Sequence, residues 1–267
     1  MNVVTTRQEL AAGSATTALL SVDDLHCAFG GLKAVDGISF EVQRGGITGL
    51  IGPNGAGKTT ALGIIAGATA PTGGTVSFDG RDITRMAVHE RARLGLTRTF
   101  QLSSEFPRLT VLENLLAAER DQPGDSLWGA VLGRRHWGAA EWEHVERARD
   151  LLARFGMEAR ESEYAGNLSG GQKRLVEIMR ALMTRPRLLL LDEPMAGVHP
   201  SLAQSIASYL EELRDEGLTM LMIEHELSIV DRLCDPVVVM AQGRIIARGR
   251  MAEVRQHEQV LEAYLVG

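Results

Sequence analysis

Gly52-Pro53-Asn54-Gly55-Ala56-Gly57-Lys58-Thr59-Thr60 is the stretch on which the reading of this chain turns. It follows the apolar run Ile47-Thr48-Gly49-Leu50-Ile51 and leads into Ala61-Leu62-Gly63-Ile64-Ile65-Ala66, so strand, glycine loop and helix come in that order. A phosphate-cradling loop requires this context. The glycines let the backbone curl until successive N–H groups point inward at phosphate oxygens. The helix that begins near Gly57 adds the positive end of its dipole at the same point. Asn54, Gly55, Ala56, Gly57, Lys58, Thr59 and Thr60 are therefore the candidate nucleotide contacts. Lys58 reaches toward the β- and γ-phosphates, and the Thr59 hydroxyl suits a Mg²⁺ ion that keeps most of its waters. A glycine turn with no ligand is the plainer alternative, and the fixed spacing between such flanks argues against it. The stretch predicts a nucleoside triphosphate site.

Further along, Leu188-Leu189-Leu190-Leu191 is a continuous apolar run, suited to a strand buried on both faces of a parallel sheet. It ends in Asp192-Glu193-Pro194. Two carboxylates at the end of a buried strand are costly unless they serve a cation or a reaction. Ligands of parallel α/β sheets bind at that edge, where the Gly52 loop also belongs. Neighbouring strand side chains point oppositely, so the two acids take different tasks: Asp192 suits Mg²⁺, and Glu193 suits an attacking water. Thr219 to Ile223 reads as another buried strand, and Glu224-His225 falls at the same edge. A lone histidine is more often structural, but this one ends a strand beside the phosphate site.

Asn167-Leu168-Ser169-Gly170-Gly171-Gln172 precedes an amphipathic helix with Leu175, Ile178, Met179 and Leu182 on one side. Ser169 and Gln172 have the spacing of a capping box, which by itself only starts a helix. The glycine pair adds nothing to a helix start unless another backbone or a phosphate comes close. A second anion-binding helix start is the sharper reading.

Leu19 to Phe29, with Leu19, Val22 and Leu25 inward, and Ile38 to Val42 read as strands, as does Thr75 to Phe78. Together they predict an antiparallel sheet beside the parallel one. Phe29 lies at a turn, where it either joins the core or stacks on a base. Thr97 to Gln101 reads as a strand ending on a polar amide, followed by a helix near Val111 to Glu119. Leu127 to Phe155 is largely helical and contains Trp128, Trp137 and Trp142. These either pack a helical hairpin or present an aromatic surface with Arg134-Arg135. Val237 to Met240 and Arg244 to Ala247 add two strands, and a helix over Ala252 to Leu265 follows.

With 267 residues, 45% of them hydrophobic, the chain can bury a full core. A net charge of −6 argues against a general nucleic-acid surface. Cys27 and Cys234 fit no metal or redox spacing and read as buried small hydrophobes, consistent with a reducing compartment. No apolar run approaches the roughly 18 residues that cross a bilayer, and residues 1–17 read as a flexible tail rather than a signal peptide. Any membrane role comes through a partner.

These motifs, in this order, resemble the ATP-binding subunits of ABC transporters from Leu19 onward. Gly95-Leu96-Thr97-Arg98-Thr99-Phe100-Gln101, Glu193-Pro194-Met195-Ala196-Gly197-Val198, Ile223-Glu224-His225-Glu226 and Glu262-Ala263-Tyr264-Leu265 look like the branched-chain amino acid importer group, LivG type. ATPases for urea or amide uptake and for lipopolysaccharide export look alike, and a non-transport ABC protein is the reading from another class. The resemblance implies a P-loop, RecA-like parallel-sheet core with an antiparallel β subdomain, formed by 18–100 and 184–250. It further implies a helical subdomain over 101–183 and a C-terminal helix over 251–267. It implies that two subunits pack head to tail, each ATP lying between one Gly52 loop and the other's Ser169, Gly170, Gly171 and Gln172. Phe29 would stack on adenine, Gln101 would contact Mg²⁺ and water, His225 would hold the γ-phosphate, and Glu193 would be the general base. The implied partners are a second ATPase subunit, transmembrane permease subunits and, indirectly, an extracytoplasmic binding protein. The protein would then sit on the cytoplasmic face of the membrane. One position departs from the pattern: His199 stands where the family carries Asp or Asn, in a loop that crosses the subunit interface. Its protonation would then weaken closure.

Overall fold

A computed structural model describes residues 18–99, 106–119 and 134–266, except for the side chains of 134–141, 265 and 266. The tail over 1–17, Gln101, Trp128 and the Trp137 side chain lie outside the described residues. Two sheets dominate. β1 (Ala18–Phe29), β2 (Leu32–Gln43), β4 (Gly73–Phe78) and β5 (Arg81–Asp82) form an antiparallel sheet in the order β2-β1-β4-β5. The second sheet uses β3 (Ile47–Ile51), β6 (Leu96–Arg98), β7 (Leu188–Asp192), β8 (Thr219–Ile223), β9 (Val237–Ala241) and β10 (Arg244–Gly249). Its order is β10-β9-β3-β8-β7-β6, parallel throughout except for β10.

The apolar runs explain this second sheet. Leu188 and Leu190 face one core cluster while Leu189 and Leu191 face the other. Met220 and Met222 alternate with Leu221 and Ile223 in the same way. Every residue of β3, β7 and β8 is buried, so only a strand covered on both faces suits them. On one side lie the antiparallel sheet and α1 (Lys58–Ala66), with Leu19, Val22, Leu25, Ile38, Phe40, Val42, Val76 and Phe78 in that core. On the other lie α3 (Val111–Leu116), α4 (Arg134–Arg154), α5 (Gly170–Met183) and α6 (Pro200–Asp215). Leu175, Ile178, Met179 and Leu182 of α5 are all buried there. Cys27 and Cys234 are buried free thiols, and burial pushes Cys234 up to about 12. Trp142 is 65% exposed, so that tryptophan is a surface residue rather than hairpin packing.

Two features depart from the sequence reading. The C-terminal helix over Ala252 to Leu265 is broken into α8 (Met251–Val254) and α9 (Glu258–Val266). Val254 and Val260 are both buried, at 2% and 5% exposure. Six residues apart, they lie about 120° apart on a continuous helix, so the turn between them lets both reach the core. The second is α2 (Val88–Arg93), which carries the buried Arg91. Its guanidinium donates to the carbonyls of Ile64 (2.6 Å), Ile65 (2.8 Å), Thr84 (2.9 Å) and Met86 (3.0 Å). It thereby satisfies the Ile65 carbonyl at the end of α1 and adds a second bond to that of Ile64, which also accepts from the Gly67 N–H at 3.0 Å. Arg91→Leu strands these acceptors and is expected to remove about 3 kcal/mol of stability. Thermal denaturation should show a drop of roughly 6–12 °C, with Arg91→Lys recovering little because an ammonium lacks the planar fork.

Candidate active site

The Gly52 loop runs from the end of β3 into α1, at the edge where β7 and β8 also end. Its shape depends on two glycines. Gly52 has φ 144°, and a Cβ there would stand 2.0 Å from the Met240 carbonyl oxygen. Gly57 has φ 99°, and a Cβ would stand 2.2 Å from the Ala34 carbonyl oxygen. The loop is thus pressed between β2 and the β9–β10 hairpin, whose Gly243 N–H donates to the Ala56 carbonyl at 3.0 Å.

Lys58 is 5% exposed, and its ammonium donates to the carbonyls of Gly52 (2.7 Å) and Pro53 (2.9 Å). Burial pushes it below the ordinary lysine range, while the Glu193 and Asp192 carboxylates oppose that shift. Asn54, Gly55 and Thr59 are exposed, Thr60 half-buried and Ala56 buried. Outside them opens a cavity of about 660 Å³ lined by Asn54 through Thr60, Phe29, Glu193 and Gln242, among others. Phe29 is 57% exposed, so it belongs to this cavity and not to the core.

Asp192 is fully buried at the end of β7. Arg98 donates to its Oδ2 at 2.7 Å, while Oδ1 has no hydrogen-bond partner among the described residues. A buried, half-satisfied carboxylate is an unfinished coordination site. Hard oxygen donors on Thr59 and Asp192 fit a Mg²⁺ ion that takes its remaining ligands from water and phosphate. Among the described residues no group of three His, Cys, Asp or Glu is gathered to hold a metal.

Glu193 leaves the strand in a left-handed conformation, φ 50°. Such a φ on a non-glycine residue persists only where surrounding contacts enforce it. Here the Glu193 N–H donates to the Ile223 carbonyl at 3.0 Å, and Arg174 donates to the Glu193 carbonyl at 3.1 Å. From this turn Glu193 Oε1 meets His225 Nε2 at 2.8 Å. Lys58, Asp192, Glu193 and His225, distant in sequence, converge on one edge.

Ser169 caps α5 as its spacing predicts: its hydroxyl accepts from the Gln172 N–H at 3.4 Å, and Gln172 Oε1 accepts from the Ser169 N–H at 2.9 Å. The two glycines differ. A Cβ on Gly171 would stand 2.5 Å from Leu202 Cδ2, the tip of a half-buried side chain, so Leu202 would have to turn aside to admit it. A Cβ on Gly170 would meet nothing within 4 Å among the described residues. The residues lining the loop cavity include none of Ser169 to Gln172. His199 is the N-cap of α6, and its Nδ1 accepts from the Ser201 N–H at 3.3 Å, taking over the work of a capping Asp or Asn.

A family profile described as ABC transporter matches residues 35–196, well over half of the chain. The chain belongs to the ATP-binding subunits of ABC transporters. A second profile, for branched-chain amino acid ATP-binding cassette transporters, matches residues 244–265. The cassette is 40% identical, over 92% of its length and 95% of the relative's, to a probable branched-chain amino acid transport ATP-binding protein LivG of Archaeoglobus fulgidus. It is 38% identical to the high-affinity LivG of Escherichia coli over 92% of its length and 97% of the relative's. Among solved structures, the ADP conformation of an ABC transporter cassette superposes with a TM-score of 0.82 at 40% identity, covering 94% of this chain and all of that one. A nucleotide-free cassette gives 0.81 at 40% identity, covering 93% and 99%. This cassette is a LivG-like transport ATPase. Among the described residues, no helix is long and apolar enough to cross a membrane.

Sequence reasoning missed several supports of this site. Arg98, the last residue of β6, and Arg174, one turn into α5, both act on the Asp192–Glu193 segment. Tyr264 of α9 is another: burial pushes its phenol up, and a hydrogen bond from the Gly52 N–H opposes this. A charge at the end of a strand was the available signal for Arg98, and the Glu262-Ala263-Tyr264-Leu265 stretch marked Tyr264 without its role; nothing in the sequence marked Arg174.

Proposed function

We propose that this cassette powers uptake of branched-chain amino acids, with Glu193 as general base and each ATP held between two cassettes. The observation that carries this reading is the convergence of Lys58, Asp192, Glu193 and His225 around the Gly52 loop, in a chain about 40% identical to LivG proteins. In this reading the loop amides and Lys58 hold the phosphates, and Phe29 stacks on adenine. Asp192, Thr59 and Gln101 hold Mg²⁺, which when bound neutralises charge on the phosphate oxygens. Glu193 accepts the proton of the attacking water, and His225, bonded to it, fixes its orientation and reaches the γ-phosphate.

The open face at Ser169 and Gly170 supports a ligand supplied from outside the chain. A second cassette, carrying its own Gly52 loop, meets that requirement head to tail. Permease subunits convert closure and reopening into transport, and they hold the protein at the cytoplasmic face of the membrane. The exposed Phe106 and Tyr164, at 48% and 56%, are available for that contact. The test is uptake by vesicles containing the cassette with its co-purifying membrane subunits and binding protein. ATP-driven accumulation of radiolabelled leucine is the expected result; accumulation of urea without leucine would overturn the substrate assignment.

A further inference from the structure

Glu224 is a buried acid that the reaction just described leaves without a task. It follows β8 directly, between Ile223 and His225, and is 4% exposed. Its Oε1 accepts from the Met195 N–H at 2.9 Å, two residues after Glu193. Its Oε2 accepts from the N–H of His225 at 3.0 Å, and a third backbone N–H, that of Glu226, also bonds to it. Burial pushes the acid up, while these three amides pull it down.

A carboxylate is the side chain that suits this position. It only accepts, and it has about four lone-pair sites to meet converging N–H groups. A glutamine in its place turns an NH₂ toward an amide donor, and an aliphatic residue leaves all three amides buried and unmet. Keeping a charge out of water is unfavourable unless such bonds surround it. The bonds join two separate segments: the turn that follows Glu193 and the turn that carries His225.

We propose that Glu224 is a positioning residue that fixes the loop of the general base against the loop of His225, setting the 2.8 Å contact between Glu193 and His225. Buried, outside the lining of the loop cavity and with both oxygens on backbone amides, it acts only through those two side chains. The proposal rests on the reading that Glu193 and His225 carry out hydrolysis. Displacement of a reacting group by about 1 Å can lower a rate by about a hundredfold. Glu224→Gln, which keeps size and shape, is therefore expected to lower kcat by about 10- to 100-fold. Its dissociation constant for ATP should stay within about twofold of the parent, because the Gly52 loop is untouched.

The experiment measures kcat, ATP affinity and melting temperature for Glu224→Gln, His225→Ala, Glu193→Gln and the Glu224→Gln/His225→Ala pair. In the pair, Glu224→Gln should add no more than about a further twofold loss, because the Glu193–His225 contact it sets is already gone. Full activity of Glu224→Gln beside an inactive Glu193→Gln would overturn this inference alone. So would a loss of kcat matched by equal losses of ATP binding and melting temperature, or a fully additive pair. Full activity of Glu193→Gln would instead remove the reading beneath it. Should Glu224→Ala not fold, the Gln variant still decides.

Discussion

Replacing Glu193 by Gln is expected to leave ATP binding intact and to reduce hydrolysis by about 10² to 10⁴, the usual contribution of a positioned general base. The substitution keeps the side chain's size. The contacts that enforce the left-handed turn, the Glu193 N–H to Ile223 and the Arg174 bond to the Glu193 carbonyl, involve the backbone and survive it. What changes is that an amide cannot take a proton from water. ATP then binds but is not consumed, so the cassettes should remain closed on it. Size-exclusion chromatography with ATP and Mg²⁺ should show a persistent two-cassette particle for the variant and a transient one for the parent. A variant that turns over ATP at the parental rate would assign the base elsewhere.

The second large effect is predicted for Gly57→Ala. Two independent penalties meet at one methyl group. Alanine at φ 99° is strained by about 1–3 kcal/mol. Its Cβ would also stand 2.2 Å from the Ala34 carbonyl, a backbone atom in β2 that cannot swing aside as a side-chain tip can. The loop must move, and the amides and Lys58 that follow Gly57 move with it. ATP affinity measured with a fluorescent nucleotide should fall by more than about a hundredfold, the scale associated with 1 Å misplacement. Gly55→Ala separates the two penalties: φ is 78° but the Cβ would meet nothing within 4 Å. It should weaken binding much less.

Much of the site was legible because its chemistry is local in sequence. The strand, glycine loop and helix at Gly52 form one continuous stretch. Leu188 to Asp192 announces itself because only a doubly covered strand accepts four consecutive leucines before an acid. Strand alternation was the basis for giving Asp192 and Glu193 different tasks, but the strand ends at Asp192 and Glu193 lies in a left-handed turn at φ 50°, so alternation does not govern its side chain. What stayed hidden depends on contacts between distant segments. Arg91 looks like one more charge on a polar helix until the carbonyls of Ile64 and Ile65 are seen beside it. Glu224 looks like a neighbour of His225 until its second oxygen is found on Met195. Gly170 and Gly171 are indistinguishable as letters. Leu202 crowds a side chain at one of them, whereas the other meets nothing among the described residues. The break in the C-terminal helix arises likewise, because burial of Val254 and Val260 overrides a sequence that can continue as helix.

The central claim is that one chain supplies the Gly52 loop and another supplies the Ser169 helix start. Lys58→Ala removes the first and Ser169→Arg obstructs the second; Ser169 is exposed, and losing its cap lowers stability by only about 1 kcal/mol. Each variant alone should be inactive as an ATPase. Mixed in equal amounts, half of the symmetric pairs become hybrids, each with one intact and one doubly damaged site, so about a quarter of the parental rate should return. A Ser169→Arg protein that is fully active alone, or a mixture as inactive as its components, would contradict a site shared between two cassettes.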